Sequence, residues 1–172
     1  GYSSGIAPII SYQYGSGDSE GLRHVFRVSI IFLLVSSLIM FIAAIFLRDV
    51  VVGIFAAEGS AVRELASYGF FLYSFAYLFK GINIFASAFF TALNNGLVSA
   101  ILSFLRTFLF IATALLLLPG LWGLVGVWLA VPLAELLSIA FSIGILVLLR
   151  KVYNYQEQFF YLYSKVHNPV LL

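Results

Sequence analysis

The sequence predicts an all-α integral membrane protein, and three observations carry that prediction. Hydrophobic residues make up 63% of its 172 positions and charged residues only 9%, against about 45–50% and about 25% in soluble domains. The apolar residues gather into four runs, each long enough for the ~20 residues a helix needs to cross a hydrocarbon core. Polar residues inside those runs recur at helical spacing. The runs are also too long and too seldom alternating for barrel strands.

Residues 1–14 are apolar enough to be the last turns of a preceding helix. The chain starts at Gly1 and its single methionine is Met40, so it is expected to be part of a longer protein. "GSGDSEG" at Gly15–Gly21 is turn chemistry, and the first complete span follows over 26–47. The second span is expected over 65–93 as one helix containing Lys80. "NNG" at Asn94–Gly96 turns the chain into a third span over 97–118, interrupted by Arg106. Pro119–Gly120 should end it, because proline cannot continue a helix and glycine accepts left-handed torsions. The fourth span covers 124–149 and holds Pro132 and Glu135, with a bend expected at the proline. The remainder, 152–172, reads as an aromatic, mildly basic cytoplasmic tail.

Charges between the spans set an orientation. Arg23, Arg27, Arg150, Lys151 and Lys165 fall on one side; Arg48 and Arg63 fall on the other, beside Asp49, Glu58 and Glu64. The positive-inside rule makes the Arg23 side cytoplasmic. The chain has no cysteine, which excludes disulfides, thiolate metal sites and cysteine nucleophiles. Its two histidines, His24 and His167, lie far apart outside the spans. There is no phosphate-binding glycine loop or catalytic-triad pattern. The chain is not expected to be an enzyme, to hold a metal or resident cofactor, or to bind nucleic acid.

Lipid gives no reason for polar side chains, so those inside the spans mark faces turned toward protein or water. Tyr73, Tyr77, Lys80, Asn83, Ser87 and Thr91 follow steps of four, three, three, four and four, one face about 120° wide. Ser99, Ser103, Arg106 and Thr113 share a face, as do Trp128, Glu135, Ser138 and Ser142. Counting ~1.5 Å per residue puts Lys80, Arg106 and Glu135 at roughly 13–21 Å from the cytoplasmic ends of their spans. Each unpaired charge at that depth costs at least about 2.5–3.5 kcal/mol. Glu135 is therefore expected to balance Arg106, Lys80 or both. Tyr73, Tyr77, Lys80 and Asn83 are candidates for lining a transport path. Arg106, Glu135 and Pro132 are candidates for a structural charge pair or a gate, and the serines for helix packing.

Three stretches resemble the multidrug and toxic compound extrusion (MATE) transporters. "GIAPIISYQYGSGDSEGLRHVFR" resembles the end of their eighth helix and its following loop. "FASAFFTALNNGLVSAILSFLR" resembles the join of the tenth and eleventh helices, and "LPGLWGLVGVWLAVPLAELL" the region between the eleventh and twelfth. The similarity extends to about Lys151 and is greatest to the bacterial branch with the DNA-damage-inducible-type and Staphylococcus-type efflux pumps (DinF/MepA-like). It implies the C-terminal half of a two-lobe, twelve-helix bundle, with four complete helices here and the end of a fifth. It further implies a bacterial inner-membrane antiporter that exports small organic cations in exchange for Na⁺ or H⁺. Its partners would be the bilayer and the N-terminal lobe of the same protein. The coupling carboxylate of that branch lies in the first lobe and is not carried over to Glu135. Two alternatives stand beside it: a lipid-linked saccharide flippase of the related superfamily, and a non-transporting truncated membrane subunit.

Overall fold

The computed structural model describes residues 1–155, all of whose regular structure is helical. Lys165 and His167, with most of the expected tail, lie outside the described residues. Helix α1 spans Tyr2–Gly15 and α2 spans Ser19–Phe55. They join through Gly17 at φ 74° and through Asp18, whose carboxylate accepts from the Gly21 amide at 2.9 Å. That side-chain cap satisfies one of the donors a helix start leaves open. Ser60 caps α3 (Ala61–Ser74) in the same way, through the Arg63 amide at 3.2 Å.

The span expected over 65–93 is broken. Helix α3 ends at Ser74, α4 runs Tyr77–Ala92, and the two meet at 46°. Neither glycine nor proline sits at the break. Instead, the Ser74 hydroxyl donates to the Phe71 carbonyl at 2.7 Å, and the Ala76 amide reaches the Tyr73 carbonyl at 2.9 Å. Such local bonds compete with the α-helical ladder and tighten its last turn.

After Asn94 (φ 58°), Asn95 caps α5 (Gly96–Phe104) by accepting from the Val98 amide at 3.1 Å. A π-helical stretch, Leu105–Ala112, follows and carries Arg106. Helix α6 continues without a gap over Thr113–Tyr153. Its backbone nevertheless reverses at Gly123, whose torsions of φ 56° and ψ −135° are the non-helical ones in that run. Three cross-pairs show two antiparallel arms: Asn95 to Tyr153, Arg106 to Glu135, and Phe110 to Phe141. The reversal expected at Pro119–Gly120 thus falls a few residues later, where only glycine readily takes such torsions. Pro132 keeps helical torsions and is buried; the non-helical torsions of this run are at Gly123.

Helix α4 is the centre, packed on by α1, α2, α5 and α6. Its Phe85, Phe89 and Phe90 are fully buried with Ile10, Leu22 and Phe26. Phe26, Phe89 and Tyr155 form an aromatic cluster with ring centroids 4.8–5.0 Å apart. The same end is tied by Arg23 Nε donating to the Asn154 carbonyl at 2.7 Å and by Asn95 Nδ2 donating to the Tyr153 hydroxyl at 2.8 Å. At the other end Arg48 pairs with Asp49 at 3.1 Å and Arg63 with Glu58 at 3.5 Å. Between the two ends, α2 and the hairpin expose Ile31, Val35, Leu38, Leu116 and Leu137. A continuous apolar wall of this kind belongs in hydrocarbon.

Candidate functional site

Two features stand out: a cluster between α4, α6 and the π-helical stretch, and a cavity lined from α2, α3, α4 and α6. The first is a buried polar cluster around Glu135, which is 1% exposed. Asn83, one face of α4, donates from Nδ2 to Glu135 Oε2 at 2.7 Å and to the Glu135 backbone carbonyl at 3.0 Å. Ser142, seven residues on along α6, donates to Asn83 Oδ1 at 3.0 Å. The other carboxylate oxygen, Oε1, lies 3.9 Å from Arg106 Nη1. This is an ion pair longer than a hydrogen bond. Glu135 is therefore held at two points by an amide and faced at a third by a guanidinium.

Local sequence explains the placement. Glu135, Ser138 and Ser142 recur at steps of three and four, which stack on one helix face. The Ser138 hydroxyl returns to the Ala134 carbonyl at 2.8 Å. Arg106 comes from the π-helical stretch, none of whose side chains is buried. Its own side chain remains 22% exposed. The carboxylate is fixed and the arginine has room to move.

The second feature is a cavity of about 470 Å³ at the Arg48–Arg63 end. Phe55 from α2, Phe70 and Tyr73 from α3, Tyr77 from α4 and Trp128 from α6 supply its aromatic wall. The other lining residues are Val51, Val52, Ala56, Val62 and Ala66, so no wall residue carries a formal charge. Tyr73 and Tyr77 meet edge to face, with centroids 6.1 Å apart, across the α3–α4 break. Trp128 Nε1 is buried without a hydrogen-bond partner among the described residues.

The polar residues of the second span thus separate into four groups. Tyr73 and Tyr77 line the cavity, while Asn83 is buried in the Glu135 cluster. Ser87 and Thr91 join α4 to α5: Ser87 Oγ lies 2.9 Å from Ser99 Oγ and 2.7 Å from Ser103 Oγ, and Thr91 Oγ1 donates to Ser99 Oγ at 2.6 Å. Lys80 is half-buried, one turn before Asn83, and makes no ion pair among the described residues. Of the two bases considered for Glu135, Arg106 is the one within 4.0 Å. Sequence spacing did not reveal Phe55 and Phe70, whose apolar rings read as ordinary span residues. The packing of α2 against α3 brings them to the same cavity.

No curated protein and no solved structure matches the chain. The MatE family profile matches residues 1–116 of the 172. That stretch runs from α1 through the π-helical segment and contains Tyr73, Tyr77, Lys80, Asn83 and Arg106, although not Glu135. On this match over most of its length, within an all-helical membrane fold, the chain belongs to the MatE family of membrane transporters.

Proposed function

We propose that this chain is part of a secondary active antiporter that exports organic cations in exchange for Na⁺ or H⁺. In this reading it forms most of the C-terminal lobe of a DinF/MepA-like pump in a bacterial inner membrane, with the Arg23 and Arg150 end cytoplasmic. The observation that supports it most is the aromatic cavity. Five rings around an uncharged space of about 470 Å³ suit a flat cation, which aromatic faces attract by about 0.5–2 kcal/mol per contact. Formal positive charge in the wall would oppose such a ligand, and none is there. Lipids surround the outer faces, and a second lobe closes the polar side of α4.

The test is ethidium accumulation in an efflux-deficient bacterial host expressing the full-length protein. Accumulation falls, and Tyr73→Ala with Trp128→Ala restores it by several-fold at equal protein level. Unchanged accumulation with the wild-type protein overturns the reading. One observation favours a lipid-linked saccharide flippase instead: Lys80, a cation without an ion-pair partner among the described residues, suits a diphosphate. Deletion would then deplete a cell-surface polysaccharide and leave dye accumulation unchanged.

A further inference from the structure

We propose that Arg27 on α2 and Arg150 on α6 hold the phosphodiester headgroup of an anionic phospholipid at the Arg23 end of the bundle. The proposal needs only a membrane-spanning chain and goes beyond the cation-export reading, so that neither falls with the other.

Charge is arranged differently at the two ends. At the far end both arginines have carboxylate partners, Arg48 with Asp49 at 3.1 Å and Arg63 with Glu58 at 3.5 Å. At the near end the described residues set Arg23, Arg27, Arg150 and Lys151 beside Asp18 and Glu20. None of those four bases forms an ion pair among the described residues. The Asp18 carboxylate caps α2, and Arg23 Nε donates to the Asn154 carbonyl. Arg27, Arg150 and Lys151 stand exposed.

The helix dipole accounts for two of the three. Arg150 and Lys151 lie in the last turn of α6, where a cation is favoured. Arg27 gains nothing from that effect, because it stands about two turns inside the N-terminal end of α2.

Register brings Arg27 and Arg150 to one depth. Helix α2 leaves this end and α6 returns to it. The two touch where Arg23 reaches Asn154 and where the Phe26 and Tyr155 rings lie 4.8 Å apart. Arg27 is four residues after Arg23, and Arg150 is four residues before Asn154. Each therefore stands one turn, about 6 Å, closer to the hydrocarbon. Beyond Arg27 an exposed apolar stripe continues through Ile31, Leu34 and Leu38, and beyond Arg150 another runs through Val147 and Ile143. Steps of three and four keep each stripe on one helix face. Arginine forks match phosphate oxygens, and basic pockets between membrane helices suit lipid headgroups. A free anion or an acidic peptide would leave the two stripes unused; a phospholipid lays its acyl chains on them.

Tail-labelled phosphatidylglycerol and phosphatidylcholine, titrated into the purified full-length protein in neutral detergent and read by fluorescence anisotropy, test the proposal. Phosphatidylglycerol should bind more tightly by roughly 25-fold, about fivefold for each of the two bases. Arg27→Gln and Arg150→Gln should each remove about fivefold of that preference. Lys151→Gln, turned about 100° from Arg150 around α6, should remove less than either. Phosphatidylcholine affinity should be the same in every variant, which reports intact structure. Excess inorganic phosphate should leave the labelled lipid in place. Equal binding of the two lipids by the wild type overturns the proposal. So does a preference that survives both arginine variants, or a Lys151→Gln loss as large as theirs, the mark of a diffuse basic rim. Displacement by phosphate assigns the two bases to a free anion and overturns the lipid. Should an arginine variant fail to fold, the wild-type preference and the phosphate arm decide.

Discussion

Trp128 packs face-on over Gly69, so closely that a methyl group added at Gly69 would fall 2.7 Å from Trp128 Cζ2 and nearer still to other ring atoms. This contact sets how tightly α6 lies on α3 beside the cavity. Gly69→Ala should push the indole out of place and destabilise the lobe by about 1–3 kcal/mol, the usual cost of overpacking. A lower thermal midpoint in detergent, with quenched or shifted tryptophan fluorescence, checks it.

Gly123→Ala should be damaging for a different reason. Nothing lies within 4 Å of the added methyl group, so there is no clash. The cost lies in the backbone, because φ 56° with ψ −135° is a region that side-chain-bearing residues hold only at about 1–3 kcal/mol. Gly120→Ala, with helical torsions and open space, should be neutral. Comparing the thermal midpoints of the two variants separates backbone strain from crowding.

Asn83 is the only side chain among the described residues that donates to both Oε2 and the backbone carbonyl of Glu135. Asn83→Ala leaves a buried carboxylate oxygen without its donor and should cost about 1–3 kcal/mol. Asn83→Asp should cost more, because it sets a second carboxylate against Glu135. Thermal midpoints of the two variants in detergent check the order.

At the opposite end from the aromatic cluster, Asp49 is held below its ordinary value of 3.8, first by the hydrogen bond from Arg48 against an opposing effect of burial, then by charge attraction to Arg48, the Ser67 bond and Arg63. A carboxylate whose folded value is depressed contributes stability above its unfolded value and loses it as the pH falls through the folded one. Asp49→Asn should therefore lower the thermal midpoint slightly near neutrality, and the difference from wild type should vanish in strong acid. Added salt should shrink it as well.

The helical membrane character was legible because it follows from bulk apolarity and period alone. The turns at Asp18 and Asn95 were equally legible, since their side chains cap helices through purely local bonds. The α3–α4 break was not. It depends on Ser74 choosing the Phe71 carbonyl, a local competition that leaves no glycine or proline signal. The reversal point was misplaced for a related reason: Pro119 announced a stop, yet the torsions that only glycine tolerates fall at Gly123. Within the site, the need to balance Glu135 pointed to Arg106 or Lys80, and Arg106 is the base within 4.0 Å of it. Asn83 looked like a lining residue because spacing gives a face and not a partner, and its bonds to Glu135 and Ser142 span more than fifty positions in sequence.

The reversal at Gly123 also bears on how the polypeptide enters the bilayer. Arg106 and Glu135 lie on opposite arms of a single hairpin, 29 positions apart in sequence. Inserted singly, each arm would carry one naked ion into oil; inserted as a pair, they enter with their charges already cancelled. The insertion machinery therefore has reason to hold the first arm until the second emerges, which makes the two arms a single unit of biogenesis.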